Sequence, residues 1–133
     1  MKKLLLSLAL LVALAIPAAV AANLVYFKSN LTATAVLAKA GSVTIGSYNI
    51  SNPNSSPVFI QVFNAATAGA VTLGTTPPTF VLTVPAANGV LDGNLAGSYN
   101  LPLGMVVAAT TTATGNTAPT SAVPITIFYS ASQ

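Results

Sequence analysis

The sequence contains no Cys, His, Arg, Glu or Trp, and these absences exclude several classes of protein. Its 133 residues include five charged side chains, Lys2, Lys3, Lys28, Lys39 and Asp92. Structural zinc needs Cys or His, calcium normally needs several carboxylates, and acid–base catalysis needs groups that titrate near neutral pH. A single Asp satisfies none of these requirements. We therefore predict a non-enzymatic protein with no catalytic residue, no metal site and no cofactor.

The small number of basic residues also argues against a nucleic-acid partner. Proteins that bind DNA or RNA neutralise phosphates with clustered Lys or Arg. Here two of the four lysines, Lys2 and Lys3, lie at the very N-terminus, and Lys28 and Lys39 are eleven positions apart. The sequence pI of about 9.5 therefore reflects four Lys against one Asp, and no basic patch is expected.

The N-terminus has the three parts of a secretory signal peptide. Lys2 and Lys3 precede an uncharged apolar run over residues 4–16, and small residues follow. Ala19 and Ala21 fit the small-x-small cleavage rule, so we predict a signal peptide over residues 1–21 and a mature domain over residues 22–133. The alternative is a retained membrane anchor, since residues 4–22 approach the length that spans a bilayer. Export would place the protein outside the cell, in the periplasm or on a virion surface.

The mature part is nearly uncharged and owes its polarity to hydroxyl and amide groups. It contains 16 Thr, 10 Ser and 10 Asn among 112 residues, against two Lys and one Asp. Thr favours strands, Ser and Asn favour turns, and all three are poor in helix interiors. An all-β domain follows. A surface with almost no net charge also has little electrostatic repulsion between copies, which favours association.

Turn residues recur at short intervals after residue 22, which is typical of a β-sandwich or barrel. We predict a single β-sandwich, immunoglobulin-like or jelly-roll, with about seven to eight strands. A bulge at Gly46 and Ser47 should kink the third strand, because the apolar parity changes there. The strands over 58–63 and 80–84 should be central, Asp92-Gly93 should form a turn within a loop over 86–97, and Pro124 should lie at a sheet edge or outside the ladder. The predicted strands cover residues 24–27, 31–38, 42–51, 58–63, 80–84, 104–112 and 123–129.

Two sets of residues are candidates for contacts with partners. Tyr26 and Tyr99 could stack on sugar rings if they are exposed, although Tyr more often packs in a core. The alternation of Leu31, Ala33, Ala35 and Leu37 with polar or branched residues suits either the first strand of this domain or a strand donated to a neighbouring copy.

Between residues 38 and 129 the order of features resembles small β-sandwich structural proteins of bacteriophages and related environmental sequences, which are associated with virions or tails. The resemblance is carried by residues 39–41, 48–52, 58–64 followed by 65–67, 73–77 leading into 80–85, and 125–129. It implies a sandwich fold and a role as a virion component.

Composition, export and resemblance together favour a structural subunit that binds copies of itself or another structural protein. A capsid or tail component and an extracellular filament or coat protein both fit. A secreted glycan-binding module, with polysaccharide as its partner, is the alternative. A membrane-tethered form follows only if residues 1–22 are retained.

Overall fold

The protein is built of antiparallel strands in two packed sheets. The computed structural model describes residues 23–131, except for the side chains of residues 96–98. The predicted signal peptide, with Ala19 and Ala21, lies outside the described residues. In chain order the strands are β1 (Leu24–Leu31), β2 (Val36–Ala40), β3 (Val43–Asn52), β4 (Val58–Asn64), β5 (Phe80–Val84), β6 (Gly89–Leu101), β7 (Gly104–Thr110) and β8 (Val123–Ala131).

The strand order identifies the sandwich as a jelly roll. Sheet A has the order β1-β8-β3-β6 and sheet B has the order β2-β7-β4-β5. β1 pairs with β8, β2 with β7, β3 with β6 and β4 with β5, as in one long hairpin rolled into two sheets. The further pairings β3–β8 and β4–β7 join these strand pairs into the two four-stranded sheets. The predicted β-sandwich is confirmed, and its plan is the second of the two that the sequence predicts.

The main core lies between the sheets and follows from the alternation along the strands. On β8, residues Val123, Ile125, Ile127 and Tyr129 are buried, while the residues between them face outward. Burying each large apolar side chain stabilises the fold by about 1.5–3 kcal/mol. The other buried members of this core are Leu31, Val43, Ile45, Ile50, Val58, Ile60, Val62, Val84, Leu101, Met105, Val107 and Ala109.

Sheet B is also covered on its outer face. Phe63 and Val106 point away from the main core and form a second cluster with Ala65 and Val71. The segment between β4 and β5, with a short 3₁₀ turn at Ala68–Ala70, supplies part of this cover. Burial on both faces explains why β4 and β7 are apolar at both parities of the sequence.

The third strand is kinked where the sequence predicts it. The pairing of β3 with β8 shifts register between Ile45 and Ser47 and leaves Gly46 as the extra residue. The pairing of β3 with β6 shifts at the same place, where residues 95–98 of β6 form the longer side. Pro124 lies within the inner strand β8 and not at a sheet edge, at a point where the β1–β8 pairing shifts between Lys28 and Leu31 and omits Pro124. A proline has no backbone N–H to donate, so a ladder irregularity accommodates it.

Two assignments for the middle of the chain are wrong. The strand over 80–84, predicted to be central, is β5 at the edge of sheet B. The segment 86–97, predicted as a loop, mostly belongs to β6, where Asp92 and Gly93 pair with Asn49 and Tyr48 instead of forming a turn. A Cβ on Gly93 would lie 2.5 Å from the Tyr48 hydroxyl, so this glycine makes room for the ring of its cross-strand neighbour.

The strand predicted over residues 31–38 is divided between two strands. Leu31 ends β1 and Leu37 lies in β2, whereas Ala33 and Ala35 lie in the connection between them. The chain crosses from sheet A to sheet B here, and the carbonyl of Thr32 accepts a hydrogen bond from the Ala109 N–H at 3.0 Å. The inward parity changes at the crossing, because Leu31 enters the main core whereas Ala35 packs against the second cluster on the outer face of sheet B.

Candidate interaction surface

The outer face of sheet A is open to solvent, in contrast to the covered face of sheet B. We call it the open face. Hydroxyl and amide groups make up most of its centre, and apolar side chains lie towards β1. The outward residues are Val25 and Phe27 on β1, Thr126, Phe128 and Ser130 on β8, Thr44, Ser47, Asn49 and Ser51 on β3, and Val90, Asp92, Asn94 and Asn100 on β6.

Three neighbouring apolar side chains form an exposed strip on this face. Val25 pairs directly with Phe128 across the β1–β8 ladder, and Phe27 lies two residues along β1 on the same side. Val25, Phe27 and Phe128 are 55%, 65% and 39% exposed. Directly opposite and diagonal side chains on one sheet face contact each other, so these three form one apolar surface, which we call the β1–β8 strip.

A groove lies beside the strip where the β3 bulge opens the ladder. It has a volume of about 380 Å³ and is lined in part by Asn23, Thr44, Ser47, Asn94 and Phe128. The bulge creates the groove because Gly46 adds a residue without a side chain between Ile45 and Ser47. Amide and hydroxyl groups can both donate and accept hydrogen bonds, and the Phe128 ring supplies an apolar wall. The groove therefore suits a neutral polar ligand better than an ion.

The charged residues of the described chain are dispersed. Lys28 lies on β1 and Asp92 on β6, at opposite edges of sheet A, and Lys39 lies on β2 in sheet B. No group of three or more His, Cys, Asp or Glu side chains occurs within residues 23–131. None of the helical segments described is long and apolar enough to cross a membrane.

Tyr26 and Tyr99, the predicted surface aromatics, do not share a surface. Tyr26 packs against the main core, and its buried hydroxyl has no hydrogen-bond partner among the residues that the structure describes. Burial raises the pKa of the Tyr26 hydroxyl through desolvation. Tyr99 is 46% exposed on β6, at the other edge of sheet A, and its ring centroid lies 4.4 Å from that of Phe80 on β5. Tyr26 is thus a core residue, and Tyr99 helps to close the gap between the two sheets.

The exposed aromatics of the open face are Phe27 and Phe128, which the sequence reasoning did not select. A strict period-two reading identifies Phe128, because Ile127 and Tyr129 on either side have the inward parity. Phe27 has no such marker, since β1 alternates only weakly. Of the predicted strand residues, Leu31 is fully buried and Leu37 is 37% exposed on the edge strand β2.

Comparison with family models, with curated proteins and with solved structures found no match for this chain.

Proposed function

We propose that the protein is a non-enzymatic structural subunit of a virion or of an extracellular assembly, and that its copies associate through neutral strand faces and edges. The observation that carries this proposal is the β1–β8 strip. Contiguous apolar side chains on a solvent-facing sheet mark contact surfaces in soluble proteins. Here they lie beside hydroxyl and amide groups that can form hydrogen bonds to a neighbouring copy or remain hydrated.

The strip is large enough to influence association measurably. Phe27 is 65% exposed, and burying an exposed large apolar side chain contributes about 2 kcal/mol. That free energy corresponds to about a thirtyfold change in a dissociation constant. Val25 and Phe128 would be buried by the same contact, so removing one ring should weaken the association but leave some of it.

The charge distribution supports contact between identical copies. Asp92 is the charged residue that points outward from the open face, and it lies on β6, across the sheet from the strip on β1. Lys28 follows Phe27 on β1 but pairs with the buried Ile125, so its side chain starts from the opposite face of the strand. Contact through the strips therefore brings neither Asp92 nor Lys28 to its centre. Salt has little to screen in such an interface.

The kind of assembly, a virion or an extracellular filament or coat, is inferred from the sequence. The resemblance to phage sandwich proteins favours a virion component, and the predicted signal peptide favours an extracellular filament or coat. Jelly rolls occur in viral capsid domains and also in lectins, and a fold alone does not assign a function. The common element of both settings is a subunit whose role is packing.

The proposal is tested by comparing Phe27→Asp with Leu103→Asp in sedimentation equilibrium. Both residues are exposed by more than half, and both substitutions add one negative charge, but Leu103 lies outside the open face, in the turn between β6 and β7. We expect the unmodified protein and Leu103→Asp to associate with similar affinity, and Phe27→Asp to associate at least about thirtyfold more weakly. Equal weakening by both substitutions would count against the strip, and a monomeric unmodified protein would overturn the proposal.

A second candidate function is neutral glycan binding, which the groove beside the β3 bulge favours. Its amide and hydroxyl lining matches the hydrogen-bonding groups of a sugar, and Phe128 supplies a ring against which a pyranose can pack. Titration calorimetry with uncharged oligosaccharides tests this function. We expect Asn94→Ala to weaken binding if the groove is the site, and Asn30→Ala, which removes an exposed amide at the other end of β1 from Asn23, to leave it unchanged. Absence of heat with every neutral glycan would refute this function.

A further inference from the structure

Within residues 23–131, four strands end the two sheets, and each has one side without a strand partner. They are β1 and β6 in sheet A and β2 and β5 in sheet B. An open edge presents backbone donors and acceptors on which another chain can pair. Proteins block such edges with charged side chains, with bulges, or by keeping the strand short.

Three of these four edges carry both a charge and a register shift. β1 contains Lys28, and its pairing with β8 shifts next to that residue. β2 contains Lys39, and its pairing with β7 shifts between Leu37 and Lys39. β6 contains Asp92, and its pairing with β3 shifts at the β3 bulge. These are all the charged residues of the described range, although the four edge strands hold under a third of its residues.

β5 has neither a charged residue nor a register shift. Its sequence is Phe-Val-Leu-Thr-Val, and its five residues pair with β4 without any shift. Length does not explain the difference, because β2 also has five residues and carries both devices. β5 is therefore the uncharged edge of the sandwich whose pairing has no register shift.

We infer that β5 pairs antiparallel with β5 of a second copy about a twofold axis, joining two four-stranded B sheets into one of eight strands. The inference rests on the proposed self-association and names one of its interfaces. A register centred on Leu82 places Leu82 opposite its own equivalent, Val81 opposite Thr83, and Phe80 opposite Val84. Every pair is uncharged, as self-pairing requires, because like charges on opposing strands are destabilising.

A second copy fits this edge better than it fits the other three. In a twofold pairing, only residues close to the axis approach their own equivalents. A pairing centred on β1 or on β2 would place Lys28 or Lys39 close to an identical charge, and a pairing of β6 centred near Asp92 would do the same. The β5 contact also lies in sheet B and leaves the open face of sheet A free. A copy with two separate contact surfaces can assemble beyond a dimer, as a filament or coat requires.

The interface is small, so its affinity is modest and the test needs high protein concentration. Five residues a side bury less than the roughly 1,200 Å² of a standard stable interface. Slower hydrogen exchange of the β5 backbone amides at high concentration than at low concentration is the direct signature of pairing. Unchanged exchange of every β5 amide in a sample that associates would overturn the inference.

Thr83→Lys provides the variant test, with Thr120→Lys as its matched control. Both threonines are exposed, and Thr120 lies in the loop before β8. We expect Thr83→Lys to raise the dissociation constant of the β5 contact by about tenfold or more, and Thr120→Lys to leave it unchanged. Mixing Thr83→Lys with Thr83→Asp should restore pairing, because residues 83 of the two copies are diagonal neighbours in this register.

The outcomes separate this inference from the function on which it rests. If the unmodified protein stays monomeric, both fail. If it associates and Thr83→Lys associates as strongly as Thr120→Lys, the β5 pairing fails and the proposed self-association remains.

Discussion

The buried side-chain amide of Asn52 links three connections of the sandwich, and we expect its removal to lower the free energy of unfolding strongly. Asn52, at the end of β3, is fully buried. Its Nδ2 donates to the carbonyls of Ser56 at 2.9 Å and Pro85 at 2.8 Å. Its Oδ1 accepts from both the backbone N–H and the side-chain amide of Asn54, each at 2.9 Å. Asn54 in turn bonds to the backbone of Ser121.

The cost of Asn52→Ala follows from the groups that lose their partner. The carbonyls of Ser56 and Pro85 and the N–H of Asn54 all lose a hydrogen bond, and each unsatisfied buried group costs about 1–3 kcal/mol. Two of the bonds are only partly buried, so water can replace them in part. We expect a loss of about 3–5 kcal/mol, a large share of the 5–15 kcal/mol that is typical of a folded domain.

Asn52→Asp adds a pH test to the same position. The new carboxylate would face the carbonyl oxygens of Ser56 and Pro85, so the protonated form is favoured in the folded state and the pKa of the introduced carboxyl is raised. Stability should be retained below the unfolded-state pKa of about 3.9. It should fall as the pH rises through the raised value.

Urea denaturation followed by circular dichroism measures both variants, with Asn49→Ala as the control. Asn49 lies on the same strand with an exposed side chain, so its removal should change the free energy of unfolding by no more than about 0.5 kcal/mol. A loss below about 1 kcal/mol for Asn52→Ala would refute the assigned role of the network. A pH-independent penalty for Asn52→Asp would contradict the orientation of the amide.

Three further predictions concern buried positions. Gly104→Ala should cost about 3 kcal/mol or more, measured by thermal unfolding, because Gly104 has φ +144° and a Cβ would lie 2.7 Å from the Ala65 carbonyl and 2.8 Å from that of Lys39. Tyr26→Phe should raise the free energy of unfolding by about 0.5–1 kcal/mol, because it removes a buried hydroxyl without a partner. The raised pKa of Tyr26 also means that ionising its hydroxyl costs the folded state more than the unfolded state, so the free energy of unfolding should be unaffected below about pH 10 and should fall as the pH rises through the folded-state value. Tyr26→Phe should remove this part of the expected alkaline decline in urea titrations. Gln61→Leu should speed hydrogen exchange and proteolysis near Gly115, because the Gln61 amide donates to that carbonyl at 2.9 Å, and unchanged cleavage would contradict this tie.

The sandwich could be predicted from the sequence because period-two alternation and turn residues are local properties. The strand over 123–129 illustrates this, since its inward residues are the buried ones of β8. The bulge at Gly46 was also visible, as a change of parity. β6 was not predicted, because its glycines suggested turns and the reason for Gly93 lies in Tyr48 on another strand.

The candidate surface was only partly predictable. The shortage of charge indicated a neutral exterior, but which aromatics face outward depends on strand partners. Tyr26 enters the core because it pairs with the buried Ile127. The edge position of β5 likewise depends on strand order, which the pattern within residues 80–84 does not contain. Asn52 and Asn54 resembled ordinary loop residues, and their burial follows from the approach of the segments around Pro85 and Ser121.

The most direct test of the central proposal is sedimentation equilibrium of the unmodified protein over a wide range of concentration at low and high salt. We expect concentration-dependent association with a constant that changes by less than about threefold between about 0.05 and about 0.5 M salt, since the contacts involve almost no charges. A strict monomer at every concentration and salt would contradict self-association through neutral surfaces. Association that disappears at high salt would contradict its neutral character.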